Sequence, residues 1–152
     1  MATKDNFIAL FDRDILKLRS EISTYAKEET IWKISGLISN SGGNLCLHLM
    51  GNLQHYIGHV LGGSDYLRNR AAEFTRKDVP VTELLMELDH TRGVVARTIL
   101  SLPDEDLEKT YPERVFDYEM TTGYFLLHLL AHLNYHLGQI NYHRRLLDNP
   151  VN

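Results

Sequence analysis

Four stretches of this chain space their apolar residues three and four apart, and no stretch alternates them convincingly. That periodicity constrains the fold more than any other feature. Phe7, Phe11, Ile15, Leu18, Ile22 and Tyr25 form a first stripe, which ends near Lys27. Leu45, Leu49, Leu53, Tyr56 and Val60 form a second, after a start at Ser41-Gly42-Gly43. Leu84, Leu88, Val95, Ile99 and Leu102 form a third, opening near Pro80 or Thr82 and stopped by Pro103. Phe125, Leu129, Ile140 and Leu147 lie on one side of a long fourth helix, with Thr121 or Thr122 as its cap and Pro150 after its end. Four amphipathic helices of about 20 to 27 residues bury their stripes best against one another. The expected fold class is therefore all-α, a four-helix bundle.

The connections bear on its topology. Residues 28–40 make a first link that holds the only tryptophan, Trp32. Residues 62–79 make a long polar link, with Gly62-Gly63-Ser64 followed by Arg68, Arg70, Glu73, Arg76, Lys77 and Asp78. A helix of about 21 residues is about 32 Å long. A short loop would return the third helix antiparallel to the second. The long helix 2–helix 3 connection can instead cross the bundle and leave the two parallel. The prediction is up-down-down-up rather than simple up-and-down. The third link, 103–120, is expected to carry a helical turn at Asp104–Glu108.

Composition limits the function classes. With 152 residues, 43% of them hydrophobic, the chain is one ordinary domain and needs no disulfides to fold. The single cysteine, Cys46, cannot form an internal disulfide and fits a reducing, cytoplasmic setting. Met1-Ala2-Thr3-Lys4-Asp5 lacks the apolar core of a signal peptide, and no run approaches a membrane span. A net charge of −4 argues against nucleic acid as the main partner.

Histidine is the outlying component. Of the eight at 48, 55, 59, 90, 128, 132, 136 and 143, seven fall in the second and fourth helical segments. His132 and His136 sit one turn apart, about 40° round the helix, with His128 a turn before. Gln139 and His143 share that narrow face, and so do Phe125 and Leu129, which points it inward. On the second helix His48, His55 and His59 lie within about 20° of a common line. Imidazole is a common ligand for zinc and nickel, and a His-x-x-x-His pair lets one ion reach two ring nitrogens. A third histidine from the facing helix would complete a three-ligand site with an open position. By themselves these residues fit a polar cavity for a small ligand as well. The segment is not the zinc-protease motif, because Leu133 follows His132 where that motif has glutamate.

The run His132-Leu-Asn-Tyr-His136-Leu-Gly138-Gln139-Ile140 resembles the C-terminal His-x-x-x-His-x-Gly-Gln signature of the DinB/YfiT-like superfamily. Asn44-Leu-Cys-Leu-His48-Leu-Met-Gly-Asn52-Leu resembles the segment that carries its first metal-binding histidine, and Arg68-Asn-Arg70-Ala-Ala-Glu73-Phe74 resembles an uncharacterised branch of it. The similarity runs roughly from Phe7 to Leu147. It implies one four-helix-bundle domain over residues 1–152, with a divalent metal ion, zinc or nickel, held by His48, His132 and His136. It also implies a homodimer and a relation to metal-dependent thiol transferases that use bacillithiol or mycothiol, and to a mycothiol-dependent isomerase. The chain departs from many relatives at Leu133 and Leu137, where they carry an acidic and a basic residue.

The expected function is metal binding at an open three-histidine site, used for thiol S-transfer from a low-molecular-weight thiol to an electrophilic small molecule. The transferase preference comes from the resemblance alone. The alternatives are a non-catalytic metal- or small-ligand-binding protein and a metal-dependent hydrolase. His55 and His59 are a second choice of site, about 10 and 16 Å beyond His48 at helical rise. Three residues are candidates to line the cavity or support the ligands. His128 is one, more as cavity lining than as a fourth ligand. Gln139 would hold a ligand imidazole or a water, or else pack with Gly138. Asn52, one turn after His48, could serve as Gln139 does. His143 is expected near the bundle end and open to solvent, and His90, beside Asp89, on the surface. Cys46 points about 200° away from His48 and reads as a small buried residue rather than a nucleophile. Tyr135 and Tyr142 read as packing and interface residues. Arg144 and Arg145 suit a helix C-terminus.

Overall fold

The computed structural model describes residues 3–148. Helix α1 spans Lys4–Thr24, and Thr3 and Asn6 cap its start reciprocally. It stops before the expected Lys27, at Tyr25, whose side chain turns inward. Helix α2 spans Gly42–Leu53, capped by the Ser41 hydroxyl on the Asn44 N–H. Helix α3 is one short piece, Arg70–Thr75, inside the link that composition marks only as polar. Helix α4 spans Val81–Ser101 and α5 spans Thr122–Leu147, the latter capped by Thr121. Single 3₁₀ turns lie at Glu28–Trp32 and at Asp104–Leu107, the second where a turn was expected. Pro150, read as the stop after α5, lies outside the described residues.

Cross-helix contacts fix the directions. Lys4 at the start of α1 donates to the Leu102 carbonyl at 2.7 Å, and Arg19 near its end pairs with Asp89 at 2.8 Å. These make α1 and α4 antiparallel. Asn134 donates to Asp14 at 2.7 Å and Asn141 to Glu21 at 2.6 Å, so α1 and α5 are parallel. Tyr56 stacks edge-on against Phe125 while His48 meets His132, which makes α2 and α5 antiparallel. Gln54 bonds Thr91 at 3.2 Å, and a Cβ on Gly62 would strike the Thr98 side chain, so α2 and α4 run parallel. The bundle is up-down-down-up. The reason is the one the link length suggests, since the chain travels back along the bundle before α4 begins.

One core draws on all four long helices, with Phe11, Ile15, Leu49, Leu53, Leu84, Ile99, Phe125 and Ile140 buried in it. Leu133 and Leu137 also face this core. All twelve residues of α2 are buried. Its outer side, which a bundle would leave to solvent, is covered by the two links. Glycines make that covering close. A Cβ on Gly43 would lie 2.6 Å from the Trp32 ring, and one on Gly51 would lie 2.0 Å from Glu73 Oε2. Asn44 ties the cover down by donating to the Glu73 and Arg76 carbonyls at 3.0 and 2.8 Å.

Past Leu53 the helix changes character. Over Gln54–His59 the turn widens to i→i+5 bonding, with Val60 N–H donating to His55 C=O at 2.9 Å and Gly62 N–H to Ile57 C=O at 3.0 Å. A regular helix through Val60 was expected. The widened turn rotates later residues, so the angles drawn from 100° per residue do not apply to His55 and His59. Among the described residues no helix is long and apolar enough to cross a membrane.

Candidate metal centre

Two helices bring three imidazoles together. His48 sits midway along α2, and His132 and His136 occupy successive turns of α5. One ring nitrogen from each lies within 4.8 Å of the others. The rings meet edge to face, with centroids 5.0 Å apart for His48–His132, 5.3 Å for His48–His136 and 4.6 Å for His132–His136. His48 Nε2 and His132 Nε2 are 3.2 Å apart.

Outer partners set the tautomers. Glu73 Oε1 accepts from His48 Nδ1 at 3.0 Å, which leaves the His48 Nε2 lone pair facing the cluster. Gln139 Oε1 accepts from His136 Nδ1 at 2.7 Å, which frees the other nitrogen in the same way. Arg68 grips Glu73 with two bonds, Nε to Oε2 at 2.9 Å and Nη2 to Oε1 at 3.0 Å. Burial by itself would raise the Glu73 carboxyl. The His48 and Arg68 hydrogen bonds, with the Arg68 charge, outweigh it and hold Glu73 below its ordinary value. It therefore remains an acceptor.

His132 carries the sharpest chemical signal. Its Nδ1 is buried with no hydrogen-bond partner among the described residues. In either tautomer, one buried nitrogen is left unsatisfied or two lone pairs face each other. Burial, then the neighbouring His136 and His48, push this imidazole down to about 3. Burial also lowers His136, against the opposing pull of Gln139. These nitrogens stay unprotonated at neutral pH, which is the state a metal ion requires. The donor set fits a divalent ion, with two lone pairs aimed at a common point and two rings held from behind.

The other candidates fall outside the three-histidine cluster. His128 is exposed and stacks on Phe125 at 5.7 Å, with Phe116 edge-on at 5.0 Å. Asn52 is buried, and its Oδ1 has no partner among the described residues. His55 bonds Glu113 at 3.1 Å, and His59 Nδ1 donates to the Ser64 carbonyl at 2.5 Å. These two do not join the cluster. His143, expected to be open to solvent, is instead buried, because the chain after Trp32 folds across it. Its Nε2–H donates to the Lys33 carbonyl at 2.8 Å and its Nδ1 accepts from Tyr25 at 2.7 Å. His90 is exposed on α4. Burial pushes the Cys46 thiol up, which suits an inert core residue.

Sequence reasoning missed Glu73 and Arg68 as partners of the centre. In the sequence they stand in a polar link, where charge ordinarily means solvent. Gly51, a glycine inside a buried helix, was the available sign that another segment presses close there. Leu133 and Leu137 need no charged replacements, since they face the core and the outer bonds come from Glu73 and Gln139.

A sequence model of the DinB superfamily matches residues 26–140, a span that contains every residue of this cluster and its partners. No curated protein matches the chain.

Proposed function

The chain belongs to the DinB superfamily, and from that premise we propose that it is a divalent-metal protein whose three-histidine centre activates a low-molecular-weight thiol for S-transfer. The observation that carries this reading is the convergence of His48, His132 and His136 nitrogens within 4.8 Å. An all-imidazole set suits zinc or nickel. With three neutral protein ligands, a bound ion would keep its double charge and lower the pKa of a thiol at the open position.

The chain's own residues orient and exclude. Glu73 and Gln139 hold two rings from behind, Arg68 fixes Glu73, and the covering link keeps water from the back of His48. The thiol proton would go to solvent, and the thiolate sulfur would bond to an electrophilic carbon as the bond to the leaving group breaks, its electron pair departing on that group. The free, buried Cys46 agrees with a reducing, cytoplasmic setting.

Two measurements test the reading together. Protein purified without a polyhistidine tag is expected to carry close to one zinc or nickel per chain by elemental analysis. It is also expected to accelerate the reaction of 2-mercaptoethanol with 1-chloro-2,4-dinitrobenzene, and a chelator is expected to abolish that acceleration. Bound metal without chelator-sensitive turnover for any thiol tried would point to a binding protein instead.

A further inference from the structure

We propose that the uncharged, apolar body of the electrophile docks in the groove between residues 35–40 and the C-terminal half of α5. This rests on the S-transferase reading above and adds a substrate class to it. The groove encloses about 820 Å³, which is in the range of small-molecule sites. Leu37, Ile38, Leu45, Tyr135, Tyr142 and Leu146 supply its apolar surface, and His136 and Gln139 form part of its wall. A ligand held there lies beside one imidazole of the centre and its supporting amide.

The chemistry of the walls selects the ligand. Among the described residues that line the groove there is no Asp, Glu, Lys or Arg. A carboxylate or phosphate would lose water there with no charged side chain in the lining to replace it, whereas an aromatic or aliphatic body would cover side chains now in solvent. Tyr135, Tyr142 and Leu146 are 66%, 63% and 74% exposed, so α5 presents a largely apolar outer face, with the Arg145 guanidinium over the Tyr142 ring at 5.3 Å. The neighbouring cavity of about 650 Å³ offers the opposite chemistry. It is lined by Lys27, Lys33, Lys77, Glu29 and Asp78, and it touches none of the three clustered histidines. The concave shape and the histidine wall favour a small occupant over a second copy of the chain.

The test compares two probes of one shape, neutral 1-naphthamide and anionic 1-naphthoate, by fluorescence titration of the full chain with and without zinc. The variants are Ile38→Asp and Leu146→Asp, both at exposed positions, with circular dichroism as the check on folding. In the zinc-free chain, where no ion can take the carboxylate, naphthamide is expected to bind at least about tenfold more tightly than naphthoate, and each variant to weaken it at least about tenfold. Equal affinity for the two probes in the zinc-free chain, or undiminished binding in both variants, would overturn the proposal. So would a wild-type dimer in sedimentation that binds no naphthamide and dissociates in the variants, because the groove would then be an interface. Metal content measured on the same samples separates the two readings. Naphthamide binding without retained metal tells against the centre and upholds the groove, and metal without naphthamide binding tells against the groove alone.

Discussion

Two histidines on α5, the buried His143 and the half-buried His132, sit in opposite chemical situations. His143 has a protein partner on each nitrogen, the Tyr25 hydroxyl at 2.7 Å and the Lys33 carbonyl at 2.8 Å. His132 has an orphaned Nδ1 and an Nε2 that faces another imidazole. Burial lowers the pKa of both. Burial and a shifted pKa therefore do not distinguish a structural histidine from a ligating one. The distinction lies in whether the polar inventory closes within the protein. At His143 it closes, and the imidazole works as a strut between α1, the first link and α5. At His132 it stays open, and an ion between the facing His48 and His132 Nε2 atoms would relieve the part of it that lies in the cluster.

The largest expected effect separates the two directly. His132→Ala should lower metal affinity by more than the 10–100-fold typical of losing an outer partner, on the order of 1000-fold, while leaving the helical spectrum intact. His143→Ala should keep its metal and lose about 2 kcal/mol or more of stability, because a buried hydroxyl and a buried carbonyl lose their partner. Metal analysis and denaturant titration of the two variants read this out, and equal metal loss in both would collapse the comparison.

The next effect in size concerns the segment behind the centre. Glu73→Gln should weaken metal binding roughly 10- to 100-fold, since the amide is a poorer acceptor for His48 and leaves Arg68 without its counter-charge. Gly51→Ala should do the same without replacing a polar group. Alanine is the better helix former by about 1 kcal/mol, yet its Cβ would sit 2.0 Å from Glu73 Oε2 and displace the carboxylate. Metal competition with a chromophoric chelator measures both. An unchanged affinity in Gly51→Ala would mean that the Glu73 contact does not orient His48.

The smallest effect is a pH dependence of the metal-free protein. A histidine whose folded pKa is lowered takes up its proton later than the unfolded chain does. Its contribution is therefore complete above the ordinary value near 6.5. It is lost progressively as pH falls below that value, continuing toward about 3, where His132 protonates. Urea midpoints should be level above about pH 7 and decline below about pH 6.5. The decline should be shallower in His143→Phe, which removes one of the depressed groups. A midpoint that rises on acidification would contradict the assignment.

Much of this was legible in the residues. The apolar stripes mark the four long helices because burial acts on side-chain periodicity, and the length of the 62–79 link implies parallel α2 and α4 because a chain must span what it crosses. Gln139 was legible as a partner for an imidazole because one helical turn puts it in reach of His136. Glu73 was not, because charge in a link ordinarily means solvent, and its burial depends on the missing side chain of Gly51, the grip of Arg68 and the anchoring amide of Asn44 acting together. The widened turn at Gln54–His59 leaves no mark in residue type, so His55 and His59 read as extending a face from which they are rotated. His143 reads as accessible because it lies near a helix end, and only the path of the first link covers it.

The crossover between α2 and α4 also bears on how such a protein could change. The same eighteen residues let α4 run in its direction and deliver the carboxylate that steadies His48. Trimming them to a tight turn would remove a topological spacer and a chemical support in one cut. Size reduction, whether by engineering or by drift, would therefore have to begin at the other two connections.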